Sequence, residues 1–232
     1  MDRPLTTRAI VLASGGLDST VAAAIAKQDG CEIYCLTIAY GQRHAVEVER
    51  ARQVAAALGA AGHLVLELNL RAIGGSALTT AASVPKDRDR QERSHGIPST
   101  YVPGRNLIFL SLAAAHAEGV GASRIYFGAN VVDYSGYPDC RPAFIRAFEA
   151  AVHEGTKAGA EGMRLQVIAP LLALAKAEII RRGVELNVPF HLTHSCYDPA
   201  EALACGRCDS CLIRREGFEK AGVVDPIAYA VP

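Results

Sequence analysis

The stretch AIVLASGGLDST, residues 9–20, combines three features in one short segment. Its first six residues are apolar or small and predict a strand that is buried on both faces. The Ala-rich residues 18–28 predict a helix, and the two glycines between strand and helix predict a tight turn. A strand that leads through a turn into a helix is the repeating unit of parallel α/β sheets. We therefore predict that this turn binds a ligand, because such sheets bind ligands beyond the carboxyl ends of their strands.

The rest of the chain repeats this alternation of apolar runs and helical patterns. Strands are predicted at residues 9–14, 32–40, 63–68, 124–130 and 164–170. Helices are predicted at residues 18–28, 45–58, 105–118, 142–157 and 173–182. The pattern is typical of an α/β fold with a doubly wound, mainly parallel five-stranded sheet. We expect one α/β domain over residues 1–188, with a cysteine-bearing C-terminal extension, residues 189–232, packed on it. The polar residues 69–103 form a segment so long that we expect it to be a lid or disordered.

Charge and hydropathy exclude several classes of partner. The 232 residues include 24 Lys and Arg against 24 Asp and Glu, so the formal net charge is zero. A protein that grips nucleic acid or an anionic membrane usually has a basic excess, so we expect no nucleic-acid and no membrane partner. The longest apolar run, LIFLSLAAA at residues 107–115, is far shorter than the ~20 residues that span a bilayer. No signal-peptide pattern opens the sequence, and we predict a cytoplasmic protein.

The glycine turn, SGGLDST at residues 14–20, has the chemistry of a phosphate site. Two adjacent glycines let the backbone approach an anion, and the first helical turn presents free N–H groups. Ser14, Ser19 and Thr20 add hydroxyl groups, whereas Asp18 repels a phosphate unless a divalent cation bridges the two. The turn matches neither the Walker pattern nor the dinucleotide fingerprint. An ordinary strand–helix turn with a Ser or Asp cap is the alternative.

Four of the seven cysteines lie close together as C-x8-C-x2-C-x2-C: Cys196, Cys205, Cys208 and Cys211. Two overlapping C-x2-C steps gather three thiolates, and Cys196 closes a tetrahedron. This spacing predicts a closed, structural zinc site. An iron–sulfur cluster and unligated thiols are the alternatives, and His194 is a weaker candidate ligand. The odd cysteine count excludes complete disulfide pairing, and the remaining thiols are expected to be buried or incidental: Cys31, Cys35 and Cys140.

The loop SGGLDST resembles the pyrophosphate loop of the ATP pyrophosphatases, which activate substrates by adenylation. Further motifs narrow the resemblance: YGQRH (40–44), GGSALT (74–79), YVPGRN (101–106), DYSGYPDCRP (133–142), KAEI (176–179) and HSCYDPAEALACGRCDSCLIRREGF (194–218). With these motifs the chain, over residues 9–226, resembles the 7-cyano-7-deazaguanine synthase family of queuosine biosynthesis. Residues 85–93 carry no pattern of that family.

The resemblance implies an adenine nucleotide α-hydrolase-like fold and an ATP-dependent ligase. The reaction it implies converts 7-carboxy-7-deazaguanine and ammonia to 7-cyano-7-deazaguanine through adenylated intermediates, with ATP, Mg2+ and Zn2+ as cofactors. It also implies a homodimer. The residues expected to hold ATP are Leu12, Ala13, Ser14, Gly15, Gly16, Leu17, Asp18, Ser19 and Thr20.

Three residues are candidates for catalysis. Asp18 is expected to hold the cation, and Lys176 to neutralise phosphate charge, although a solvated helix lysine is the alternative. Arg105 follows a Pro-Gly turn and is expected to clamp phosphate or carboxylate through its planar guanidinium group. Polar and aromatic residues after the second and fourth strands are expected to bind the substrate: Arg43, His44, Asp133, Tyr134, Tyr137, Asp139 and Arg141. A helix-capping role for His44 is the alternative.

Three other functions deserve comparison. A tRNA-thiolating or tRNA-amidating ATP pyrophosphatase would need a basic surface or an RNA-binding extension, and the sequence shows neither. A PAPS-reductase-like oxidoreductase would need a redox-active cysteine, but the terminal cysteines have metal-type spacing. A zinc-ribbon binding module without catalysis would leave the glycine loop and the long α/β body unexplained.

Overall fold

A computed structural model describes residues 6–41, 46–94, 96–130 and 137–231 of the protein. The strands in this part of the chain are β1 (Arg8–Leu12), β2 (Glu32–Ala39), β3 (Gly62–Glu67), β4 (Arg124–Tyr126) and β5 (Gln166–Ile168). They form one parallel sheet in the order β3-β2-β1-β4-β5. The predicted doubly wound sheet is confirmed. Strands β4 and β5 are shorter than predicted.

Helices cover both faces of the sheet and account for the predicted helical segments. Their bounds are α1 (Leu17–Gln28), α2 (Val46–Ala57), α3 (Arg90–Ser94), α4 (Arg105–Val120), α5 (Pro142–Gly155), α6 (Lys157–Ala160), α7 (Lys176–Glu185) and α8 (Asp209–Ala221). One predicted helix, residues 142–157, is divided into α5 and α6, because Thr156 adopts an extended conformation and its hydroxyl caps α6. None of the described helices is long and apolar enough to cross a membrane.

Strand β1 lies at the centre of the sheet, and this position explains why its sequence is apolar without interruption. Ala9 and Val11 point into one core, whereas Ile10 points into the other, and all three are fully buried. Alternate side chains of a strand point to opposite faces, so a strand between two helical layers needs apolar residues at every position.

The position of β1 also places the glycine loop. From β1 the chain builds outward through β2 to β3, whereas β4 and β5 extend the sheet on the other side of β1. The loops that follow β1 and β4 therefore diverge at this point and leave a crevice between them. Crevices at such switch points bind the ligands of open α/β sheets.

The segment of residues 69–103 is not disordered where the structure describes it. Apolar side chains from along its length lie in the core beneath α4: Leu70, Leu78, Val84 and Val102. The sequence prediction of a lid or a disordered segment rested on polar composition, and these four widely spaced apolar residues were too sparse to form a recognisable pattern.

Residues 86–93 of this segment form a strap of charged side chains across the C-terminal extension. The Asp87 N–H donates to the Arg207 carbonyl at 2.9 Å, and Lys86 forms a backbone bridge with Cys208. Arg88 donates to the Asp209 carboxylate, with its Nε 3.1 Å from Oδ1. The other ion pairs between strap and extension join Lys86 to Asp198, Asp87 to Arg207 and Arg93 to Glu216.

The extension itself is part of the fold's core. Helix α8 packs along α7, and its Phe218 is buried among side chains of α1 and α7. Arg214, which is 2% exposed, donates to Asp225 and to the Thr193 hydroxyl and so ties together the two ends of the extension. The boundary at residue 188 stays a prediction, but the residues on its two sides share one core.

We expect Arg88→Ala to destabilise the protein. The Asp209 side chain is 6% exposed and would lose its charge partner. Breaking a fully buried pair costs ~3–5 kcal/mol, and because Arg88 retains partial exposure we expect a loss on the order of 2 kcal/mol. Urea unfolding measures this loss. Arg90→Ala, an exposed arginine of the same strap, is the control and should change stability by less than ~0.5 kcal/mol. Equal effects of the two substitutions would contradict the role of the strap.

Candidate active site and metal centre

The glycine loop has no room for a side chain at Gly15. This residue has a φ of +78°, and a Cβ atom there would lie 2.6 Å from the Glu47 carbonyl oxygen and 2.7 Å from the Ala51 nitrogen. Glycine therefore allows both the left-handed backbone conformation and the close approach of α2. The next glycine, Gly16, is the N-cap of α1, and no side chain of its own caps the helix.

Hydroxyl groups organise the rest of the loop. Ser14 and Ser19 lie with their Oγ atoms 3.0 Å apart, and Ser19 Oγ also accepts the Ser14 N–H at 3.2 Å. Thr20 is fully buried and donates to the Gly16 carbonyl at 2.7 Å. The Thr20 hydroxyl therefore holds the helix start rather than facing a ligand.

A cavity of about 250 Å³ opens over this loop. Of the nine residues predicted to hold ATP, all except Gly15 and Thr20 line it: Leu12, Ala13, Ser14, Gly16, Leu17, Asp18 and Ser19. Residues from β2, α2, α4, the segment after β4 and the extension complete the walls. The loop predicted from sequence is thus the floor of a real cavity, and the alternative of an ordinary strand–helix turn is not supported.

Lys176 and Asp18 form an ion pair beside the loop. The Lys176 Nζ lies 2.6 and 2.7 Å from the two Asp18 carboxylate oxygens. Lys176 is buried, and a Cβ atom at Gly217 of α8 would overlap its Cγ, so α8 presses directly on the lysine stem. The alternative of a solvated helix lysine is therefore wrong. Its role toward phosphate stays a prediction.

A second charged group lies in the wall formed by the start of α4. Arg105 is half-buried, lines the cavity and interacts electrostatically with Tyr40, Tyr137 and Tyr197. An arginine stays protonated under all ordinary conditions, so this wall carries a permanent positive charge. Arg105 is correctly predicted to lie at the site.

Glu47, on the first turn of α2, is a cavity residue that sequence reasoning missed. Burial raises the pKa of its carboxyl group to about 7, an effect that the nearby Arg105 opposes. Among the described residues no hydrogen bond to this carboxylate is found. Its position eight residues after the end of β2 was the available signal, because residues that follow a strand face the ligand crevice.

The predicted substrate residues divide into three groups. Tyr137 is buried, lines the cavity and packs 5.7 Å from Tyr101, measured between ring centroids. Asp139 and Arg141 are absent from the described walls: Asp139 accepts the Asn106 N–H at 2.9 Å, and Arg141 is exposed. The other four lie outside the described residues: Arg43, His44, Asp133 and Tyr134.

The segment after β4 supplies wall residues that the sequence did not single out. Gly128 lies against the helix start, where a Cβ atom would be 2.8 Å from both the Asp18 carbonyl carbon and the Ser19 nitrogen. Asn130 is fixed by a 2.6 Å hydrogen bond from its Nδ2 to the Leu174 carbonyl. A lone glycine and a lone asparagine carry no recognisable pattern, so only the three-dimensional contact reveals them.

The four cysteines of the extension meet as predicted. Their Sγ atoms all lie within 4.8 Å of one another and all four residues are buried. Cys196 and Cys208 are 4.0 Å apart, and Cys205 and Cys211 are 3.9 Å apart, sulfur to sulfur. A tetrahedral zinc ion with bonds of ~2.3 Å would need edges of about 3.8 Å, so the cluster fits a metal ion. His194 is not one of these ligands.

Backbone N–H groups support the sulfur atoms of this cluster. Cys196 Sγ accepts from the N–H groups of Cys205 at 3.2 Å and Asp198 at 3.4 Å. Cys205 Sγ accepts from Cys208 at 3.3 Å. Hydrogen bonds of this kind favour thiolates, which are the form that binds metal. By contrast, burial raises the pKa of Cys35 to about 12, as expected for an ordinary core thiol.

The fold and the glycine loop together define an α/β protein of the ATP pyrophosphatase type. A solved 4-thiouridine synthetase–RNA complex with bound ATP has the same fold, with a TM-score of 0.50 and 19% identity over 93% of this chain and 50% of that chain.

The chain belongs to the family of the queuosine biosynthesis protein QueC, whose model matches residues 8–222. It is 61% identical over 226 residues to the 7-cyano-7-deazaguanine synthase of Myxococcus xanthus strain DK1622, covering 97% of this chain and 98% of the relative. It is 57% identical over 224 residues to the enzyme of that name from Anaeromyxobacter dehalogenans strain 2CP-C, covering 96% of each.

We expect the free energy of unfolding of Glu47→Gln to increase relative to that of the wild type as pH rises. The wild-type carboxyl group holds its proton to about pH 7 when folded, whereas in the unfolded chain it ionises near its ordinary pKa of ~4.3. The wild type therefore loses stability between these pH values, and the glutamine variant does not share this loss. Urea unfolding of both proteins at pH 5 and pH 8 measures the difference. A stability difference that is the same at both pH values would contradict this environment for Glu47.

We expect Cys205→Ser to abolish stoichiometric metal binding, because three thiolates no longer complete the tetrahedron. Elemental analysis of purified protein should find one metal ion per chain in the wild type and well below one in the variant. Cys31→Ser replaces a buried thiol outside the cluster and should retain the metal. Metal retained by Cys205→Ser, or lost from both variants, would contradict the assignment.

Proposed function

We propose that the protein converts 7-carboxy-7-deazaguanine and ammonia to 7-cyano-7-deazaguanine with ATP. The observation that carries the proposal is one continuous cavity, in which a phosphate-type glycine loop adjoins a wall with Tyr137, Glu47 and Arg105. The glycine loop gives this cavity a side suited to phosphate, and Tyr137 gives it a side suited to an aromatic ring. The relatives named 7-cyano-7-deazaguanine synthase support this choice of substrate.

The chemistry explains why ATP is needed. A carboxylate is a poor electrophile because its leaving group would be oxide. Transfer of AMP to the carboxylate oxygen makes that oxygen a good leaving group, and pyrophosphate departs. Ammonia then displaces AMP and forms an amide. The amide must lose its oxygen and two protons to become a nitrile. We propose that a second ATP adenylates the amide oxygen on the same loop with release of pyrophosphate, and that the oxygen then leaves with AMP as the nitrogen gives up its two protons.

In this reaction the glycine loop holds the β- and γ-phosphates. The start of α1 and the hydroxyl-bearing residues Ser14 and Ser19 line the cavity and have the chemistry that suits an anion. Mg2+, when bound, would neutralise phosphate charge, and Asp18 is the carboxylate placed to hold it. Lys176, whose Nζ donates to the Asp18 carboxylate, would turn toward the departing pyrophosphate.

We propose that the deazaguanine ring binds against the cavity wall that carries Tyr137, Glu47 and Arg105. Tyr137 offers an aromatic face for stacking. Glu47 accepts N–H donors of the ring, and Arg105 orients the substrate carboxylate. Asp139 contributes indirectly, because its hydrogen bond to Asn106 holds the start of the helix that carries Arg105. Roles for Arg43, His44, Asp133 and Tyr134 in substrate binding remain predictions, and the exposed Arg141 has the weakest support.

We propose that the cysteine cluster binds Zn2+ and serves structure rather than chemistry. All four thiolates would be ligands, which leaves no open position for a substrate. The cytoplasmic location and the homodimer expected from the sequence belong to this proposal, and the free state of the seven cysteines is in keeping with a reducing compartment.

The test is a product analysis. The protein, loaded with Zn2+, is incubated with ATP, Mg2+, ammonium and 7-carboxy-7-deazaguanine, and AMP and the nitrile are sought by mass spectrometry. We expect both products from the wild type. Asp18→Asn should lower the rate at least ~100-fold, because it removes a charge needed in the transition state, while circular dichroism stays unchanged. Glu154→Gln, an exposed helix substitution, is the control. Folded, metal-loaded wild type that forms no nitrile would contradict the proposal.

A further inference from the structure

The C-terminal extension touches the glycine loop directly. The His194 N–H donates to the Gly15 carbonyl at 2.8 Å, and the Leu17 N–H donates to the Ser195 hydroxyl oxygen at 3.2 Å. A Cβ atom at Gly16 would lie 3.4 Å from Ser195 Oγ. The loop therefore lies between the carboxyl end of β1 and a segment 178 residues further along the sequence.

The contact with Ser195 satisfies a group that the helix itself leaves unpaired. The first N–H groups of a helix have no intrahelical acceptor, and Leu17 is the first residue of α1. Gly16, at the N-cap, has no side chain to accept them. The Ser195 hydroxyl takes the place of a capping side chain, supplied by a residue 178 positions away in the sequence.

Ser195 is also adjacent to a predicted metal ligand. Its neighbour Cys196 lines the same cavity, and the Cys196 sulfur lies in the four-cysteine cluster. Hydrogen bonds from Asp198 and Cys205 fix the same sulfur atom. A bond between Cys196 and a metal ion would therefore fix the position of the Ser195 backbone relative to the loop.

We propose that Ser195 is a positioning residue of the glycine loop, and that it transmits metal occupancy of the cluster to the affinity of the loop for ATP. The inference rests on the proposed function in taking ATP as the ligand of the loop. The Ser195 hydroxyl holds the first turn of α1 in place by accepting the Leu17 N–H. When the cysteines hold no metal, the segment that carries Ser195 loses its anchor on the Cys196 side, although its contacts through Thr193 and His194 remain, and the Ser195 hydroxyl no longer caps the loop.

Titration calorimetry of Zn2+-loaded protein with MgATP tests whether Ser195 positions the glycine loop. Loss of an N-cap hydrogen bond costs ~1 kcal/mol or slightly more, so we expect Ser195→Ala to weaken ATP binding about tenfold. KM for ATP should rise in parallel, while KM for the carboxylate substrate stays unchanged. Ser195→Thr retains the hydroxyl and should restore ATP binding to within about threefold. Ser111→Ala, an exposed serine of α4, is the control.

Metal removal, combined with the Ser195→Ala substitution, tests whether metal occupancy of the cluster acts on ATP affinity through Ser195. Chelation of Zn2+ should weaken ATP binding by the wild type but add little to the effect of Ser195→Ala, because both act through one contact. Hydrogen exchange in Zn2+-loaded protein gives a second measurement that does not depend on chelated protein staying folded. The amides of residues 15–19 should exchange faster in Ser195→Ala than in Ser195→Thr.

Wild-type affinity for ATP in Ser195→Ala, additive effects of chelation and substitution, or identical exchange in the two variants would each overturn the proposal. Failure of the wild type to bind ATP at all would instead refute the proposed function, so the two failures are distinguishable.

Discussion

The absence of side chains at two glycines, Gly15 and Gly128, is the constraint on which the site depends. At Gly15, helix α2 touches the loop, and at Gly128 the segment after β4 touches the start of α1. At Gly16 the extension lies within van der Waals distance. A methyl group would block the contacts at Gly15 and Gly128, whereas at Gly16 it would lie at ordinary contact distance from the extension. Helix α2, the segment after β4 and the extension all meet at the glycine loop and the start of α1, so the cavity, its charged walls and the extension share one geometric requirement.

Charged groups of opposite sign lie close together within this cavity. Asp18 is paired with Lys176 beside the phosphate-type loop, and Glu47 lies near Arg105 in the adjoining wall. Ligand groups of either sign find a partner here, as a nucleotide with its cation and an anionic carboxylated heterocycle would require.

Much of the fold and part of the site were predictable from the sequence. The apolar run of β1 and the cysteine spacing each combine a strong local pattern with one dominant physical cause, so the sheet and the cluster were predicted correctly. The double glycine marked a loop that lines a cavity, and its binding of ATP stays a prediction. Glu47, Gly128 and Ser195 were missed, because their importance comes from contacts between segments far apart in the sequence. The packing of residues 69–103 was missed because its buried apolar residues are widely spaced. Its ion pairs with the extension likewise leave no periodic pattern. Asp139 was assigned to the substrate, but its carboxylate holds the start of α4 instead.

The most direct measurement of the central claim is a crystal structure of the Zn2+-loaded protein with a non-hydrolysable ATP analogue, Mg2+ and 7-carboxy-7-deazaguanine. The account predicts the β- and γ-phosphates against residues 14–19 and the heterocycle beside Tyr137, with its carboxylate directed to the α-phosphate. The Ser195 hydroxyl should remain at the start of α1. Nucleotide phosphates bound away from the glycine loop, or a heterocycle outside the cavity, would contradict the account.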